Sequence, residues 1–167
     1  LSGDLMASRA SNMDRIDHTT DHVVVHLSQS RRVLSSAPYH GGLVDADRLL
    51  IRNVTDNFKG TKGPFEPPAT TLAKYCRRQE WPGVTVGMMT SAKMTSFRQI
   101  QLEREGVTIS TLVTAGLSNA RRVGDPAEYR RFDQTEITTG TINIIVLTNA
   151  VLTPAAQVET IMVVTEA

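Results

Sequence analysis

The sequence predicts an α/β (or α+β) fold, with a mixed central sheet of about five or more strands and flanking helices in a single domain. Three observations carry this expectation. Short β-branched apolar runs recur along the chain, stretches with helical spacing fall between or after them, and Gly and Pro punctuate the joins. The 167 residues, 40% of them hydrophobic, suffice to bury a core without disulfide or metal staples. The densest apolar stretch, residues 142–147, is the length of a strand, well short of the ~18 residues a membrane helix needs.

Taken in order, residues 1–20 are polar and aperiodic and read as an N-terminal arm, leaving 21–167 as the domain. Residues 22–27 (HVVVHL) read as the first strand. The polar SQSRR follows, and then VLSSAPYHGGL, where Pro38 and the Gly41-Gly42 pair call for a turn. Residues 49–54 form a second short apolar run, and the Pro- and Gly-rich 57–68 a loop. Residues 70–81 space Leu72, Tyr75, Cys76 and Gln79 three and four apart, as a helix would. Residues 84–90 read as a strand, 92–103 as helix or loop, and the alternating 107–115 (VTISTLVTA) as a strand ending at Gly116. A polar connection over 118–135 turns at Gly124-Asp125-Pro126, and 139–148 is the clearest strand. Thr153 then caps a helix with Pro154 at its first position, and this helix is expected to bury Val158, Ile161 and Met162. No stop signal closes it before Ala167, so the C-terminal part of the domain is expected to be missing.

The charge balance narrows the function. Eighteen Lys and Arg against seventeen Asp and Glu give a net charge of +1, which argues against a dedicated nucleic-acid binder. Eight arginines stand in adjacent pairs: Arg31-Arg32, Arg77-Arg78, Arg121-Arg122 and Arg130-Arg131. Such pairs can hold carboxylates or phosphates, but solvated surface positions account for them more simply. The single Cys76 lies in a helical stretch with no His nearby and reads as a packing residue. The N-terminal residues lack the pattern of a signal peptide, so the expected location is cytoplasmic. His18, His22 and His26 recur every fourth residue and, with Asp17 or Asp21, could bind zinc. The intervening Val23-Val24-Val25 favours ordinary half-buried histidines instead, and no metal is expected.

Chemistry can collect at three polar turns beside strands: Ser35-Ser36 with Gly41-Gly42, Thr114 to Asn119, and Gly140 to Asn143. Gly lets the backbone approach a ligand there, while Ser, Thr and Asn add short hydrogen-bonding groups suited to a neutral, amide-rich ligand. Hydroxyls available as nucleophiles are Ser36, Thr90, Thr114, Ser118 and Thr141; available bases are His40, Asp125 and Glu166. No GxSxG, P-loop or GxGxxG is present.

The segments VLSSAPYHGGL, LVTAGLSNARRVGDPA and GTINIIVLTNAVLTPAAQVETIMVVTEA, in this order and spacing, resemble the adenosylcobinamide amidohydrolase family over roughly residues 20–167. The resemblance implies hydrolysis of the amide that joins a corrinoid's propionyl arm to aminopropanol, in corrinoid salvage. The products would be adenosylcobyric acid and 1-amino-2-propanol. It implies no protein cofactor, since cobalt belongs to the substrate, a corrinoid partner rather than nucleic acid or membrane, and room for a homo-oligomer. The family pattern falls on Ser35, Ser36, Gly41, Gly42, Asn53, Thr90, Gly116, Ser118, Asn119, Gly124, Asp125, Thr141, Asn143 and Glu166. Of these, Ser118 or Ser36 is expected as nucleophile or water-holder and Asp125 or Glu166 as base. Asn119 and Asn143 are expected to bind amides, with Thr141, Gly116, Gly41, Gly42, Asn53 and Thr90 completing the substrate site. His40 stands where the family often has Asn, and the family's Gly/Thr-rich segment beyond the final TEA has no counterpart here. The alternative is a corrinoid-binding or carrier module without turnover.

Overall fold

Among the described residues, seven strands form two sheets, not one central sheet. In the computed structural model, which describes residues 14–54, 66–117, 124 and 140–166, a four-stranded sheet has the order β1-β2-β3-β4 and a three-stranded sheet the order β5-β6-β7. The first sheet comprises β1 (Arg15–His18), β2 (His22–Ser35), β3 (Gly42–Asn53) and β4 (Thr85–Thr90); the second comprises β5 (Arg98–Arg104), β6 (Val107–Ala115) and β7 (Ile142–Thr148). The helices are α1 (Pro68–Arg78) and α2 (Pro154–Glu166). All strand pairs are antiparallel except β3 with β4, which run parallel across the connection that contains α1.

Burial explains the two patterns of apolar residues. Val23, Val24 and Val25 on β2, and Leu49, Leu50 and Ile51 on β3, are all buried, because both faces of the first sheet are covered. Val23, Val25, Leu49, Ile51 and Val86 turn to the second sheet and meet Leu112 and Ile145. Val24 and Leu50 turn the other way, onto Leu72, Tyr75 and Cys76 of α1. The second sheet is covered on its inner face alone, so β6 alternates: Ser110, Leu112 and Thr114 are buried while their neighbours are not. The order is therefore helix, sheet, sheet, with the main core between the sheets.

Several boundaries differ from the sequence reading. The polar SQSRR does not interrupt β2; register with β3 is lost between His26 and Arg31 and resumes at Arg31 opposite Ala46 and Arg32 opposite Asp45, the latter also an ion pair. Within the stretch read as a polar arm, Arg15–His18 pairs with β2 and packs Ile16 on the core. The region read as helix or loop over 92–103 contains β5, joined to β6 by a two-residue turn. Glu105 and Gly106 both have positive φ, 52° and 78°, as a twisted hairpin turn requires. Thr153 does cap α2, its Oγ1 accepting the Ala156 N–H at 3.2 Å. The helix nevertheless buries none of its residues: Val158, Ile161 and Met162 are 53%, 39% and 57% exposed, contrary to expectation. Its apolar residues lie all round the helix, so no single face concentrates them for docking. No helix among the described residues is long and apolar enough to cross a membrane.

Candidate active site

The ends of β3, β4 and β6 and the start of β7 meet at one end of the layers. Asn53 pairs with Thr90 across β3 and β4, and Thr114 with Asn143 across β6 and β7. Two amide side chains fasten the strand ends: Asn143 Nδ2 donates to the Met89 carbonyl and Asn53 Nδ2 to that of Ala92, each at 3.1 Å. Thr90, 1% exposed, accepts the Ala92 N–H on Oγ1 at 3.0 Å. A Cβ on Gly116 would lie 3.2 Å from Ala92 Cβ, so the small residue permits the close approach of the two sheets. Gly116 in turn donates its N–H to the Thr141 carbonyl at 3.0 Å. Five residues singled out in the sequence, Asn53, Thr90, Gly116, Thr141 and Asn143, are thus brought together by backbone and amide hydrogen bonds.

The tip of the β2–β3 hairpin folds back along β4. Tyr39 pairs with Gly87, and a Cβ on Gly87 would lie 3.3 Å from the Tyr39 ring. Gly41 makes the turn possible, since a Cβ there would stand 2.1 Å from the Ala37 carbonyl oxygen, and Gly42 has a φ of +87°. His40 Nδ1 donates to the Thr85 carbonyl at 3.0 Å. Ser35 Oγ accepts the Ala37 N–H at 3.0 Å, whereas the exposed Ser36 hydroxyl makes no hydrogen bond with the described residues.

A cleft of about 380 Å³ lies between the second half of β2, β7 and α2. Ser36 and Asn143 both line it, beside Met88 and Ile142. From α2 come Gln157, Thr160, Ile161 and Val164, none of which the sequence reading placed in the site, although it expected Ile161 in the core. The spacing of three and four among these helix residues was visible, but it reads equally well as a core-facing stripe. Asn143 Nδ2 faces a carbonyl, which can only accept, so the amide orientation is fixed and Oδ1 is left without a partner among the described residues. The cleft therefore combines an apolar wall with a free hydroxyl, a free carbonyl oxygen and the Gln157 amide, while its two cationic lining residues, Arg31 and Arg32, are ion-paired with Asp14 and Asp45. That combination suits a neutral ligand bearing amides. Among the described lining residues there is no carboxylate or imidazole. Glu166 is exposed at the end of α2 and outside the lining, and Ser118, Asn119 and Asp125 lie outside the described residues.

Elsewhere, the three spaced histidines do not converge. His18 Nε2 donates to the Met94 carbonyl and His26 Nε2 to Asp17, each at 3.0 Å, while His22 Nδ1 shares a 2.5 Å hydrogen bond with Tyr75 OH. Burial lowers the pKa of both His22 and His26, favouring the neutral rings. No group of three or more His, Cys, Asp or Glu able to hold a metal occurs among the described residues. Cys76 is buried in the α1 core, which raises its pKa and fits its packing role.

The frame is thus a two-sheet α+β fold with a cleft lined by apolar, hydroxyl and amide side chains. The adenosylcobinamide amidohydrolase family model, CbiZ, matches residues 6–167, and the chain belongs to that family. Its family name describes a hydrolase acting on an amide. No curated protein and no solved structure matches the chain.

Proposed function

We propose that this protein hydrolyses the amide between the corrin propionyl arm and aminopropanol in adenosylcobinamide. Water adds its oxygen to the carbonyl carbon, the C–N bond breaks, and the nitrogen leaves protonated as 1-amino-2-propanol. Adenosylcobyric acid is the other product, and the reaction serves corrinoid salvage. The family membership supports the activity, and the observation that carries the assignment to this cleft is that Ser36 and Asn143 both line it.

The cleft's 380 Å³ is room for about a dozen waters at ~30 Å³ each. That accommodates a propionyl-aminopropanol arm but not the macrocycle, which would rest outside with its acetamide fringe against the rim. Asn143 Oδ1 accepts the N–H of the scissile amide and orients it. Ser36 holds the attacking water or attacks through its own Oγ; either step needs a base. Asp125, close in sequence to the strand-end cluster, is the remaining family-pattern candidate for the base, and Ser118 the alternative nucleophile or water-holder.

Incubating the protein with adenosylcobinamide and assaying free 1-amino-2-propanol tests the proposal. Release that depends on Asn143 is expected. Corrinoid binding without release would identify a carrier module instead, and neither binding nor release would overturn the site.

A further inference from the structure

A second concavity, of about 340 Å³, lies where β2 loses register with β3, and Leu27 separates it from the cleft by lining both. Its polar wall consists of His26, Ser28, Gln29, Ser30, Asp47 and Arg48. Arg48 is the unusual member. It is only 8% exposed, yet its guanidinium meets no carboxylate: Nη1 donates to the Pro82 carbonyl. The ion pairs of the described residues engage Arg15, Arg31, Arg32, Arg52 and Arg104 but leave Arg48 out. Asp47, its neighbour in the wall, instead accepts the Val84 N–H at 2.7 Å, and His26 is paired with Asp17.

A buried cation is costly unless an anion or several acceptors satisfy it. One neutral carbonyl leaves most of the guanidinium's five donors unused, and their planar fork matches the oxygens of a phosphate or carboxylate. The lost strand register adds local polar groups beside it, with the Ser28 and Ser30 hydroxyls as further donors. We propose that this concavity binds a small oxyanion, with Arg48 as its principal donor.

Trp81, the single tryptophan, reports on the site: its ring centroid is 5.9 Å from that of His26, and it directly precedes Pro82. The protein is titrated with inorganic phosphate and, in a parallel arm, with acetate, chloride holding the ionic strength constant. Tryptophan emission and melting temperature are read. A saturable emission change with a rising melting temperature is expected for at least one anion, and the arm that responds at lower concentration identifies a phosphate or a carboxylate site. R48M should abolish the response. R48K, which keeps the charge but not the fork, should raise the midpoint at least tenfold and decides the matter if R48M does not fold. No saturable response to either anion, or an unchanged midpoint in the folded Arg48 variants, would overturn the proposal.

Discussion

Asn143 of β7 donates through Nδ2 to the carbonyl of Met89 on β4 at 3.1 Å, a hydrogen bond that ties the three-stranded sheet to the four-stranded one. The same bond aims the amide, so structure and site are coupled through one side chain. Its loss strands a carbonyl at the sheet interface, at a cost of about 1–3 kcal/mol.

Asn143→Ala is accordingly expected to lower the melting temperature by roughly 2–12 °C and to cut amide hydrolysis at least tenfold. Melting curves and aminopropanol release measured on one preparation check both. Full activity in a destabilised variant would reduce Asn143 to a structural fastener.

Gln157 separates binding from folding. It lines the cleft from a helix that buries none of its residues, so Gln157→Ala should leave the melting temperature within about 1 °C. KM for adenosylcobinamide should rise severalfold. An unchanged KM would remove α2 from the site.

Thr114 presents the opposite case. It is fully buried, and its Oγ1 has no hydrogen-bond partner among the described residues. Thr114→Val keeps the shape and removes the unpaired hydroxyl, and is expected to stabilise the fold by about 1 kcal/mol. A fall in melting temperature would show that the hydroxyl is satisfied in solution.

Acid should weaken the protein through its histidines. Burial, the largest cause, depresses His22 and His26 below their ordinary 6.5; Arg52 adds to the effect at His22 and Arg15 at His26. Below pH ~6.5 the unfolded chain then binds more protons than the folded one, so stability is full above that value and falls as pH drops through the folded pKa values. Urea unfolding at stepped pH should show this decline, and His22→Gln should flatten it. A profile unchanged by that substitution would assign the decline elsewhere.

Gly41→Ala should be far more harmful than Gly106→Ala. At Gly41 the added Cβ meets the Ala37 carbonyl at 2.1 Å, whereas at Gly106 only the positive φ opposes it. A loss of about 1 kcal/mol is expected at Gly106 and several times that at Gly41, measured by denaturant midpoints.

Much of this was legible in the residues themselves. The unbroken VVV and LLI runs mark strands covered on both faces, and the alternation of VTISTLVTA marks one covered on a single face. Read together, those periods contain the two-sheet arrangement, although the sequence reading merged them into one. β5 escaped because its strand, RQIQLER, is polar at every second position and exposed throughout, so tertiary pairing rather than burial makes it a strand.

The sequence by itself determined the family, a mixed strand-and-helix character and the identity of the polar turn residues, because these depend on local pattern and residue type. Tertiary structure decided which of them share a site. It placed Ser36 and Asn143 in the lining of one cleft, set Glu166 outside that lining, and brought Gln157 into it. It also left Arg48 buried without a carboxylate. Such relationships arise from long-range packing of residues far apart in the chain, which a linear pattern does not encode.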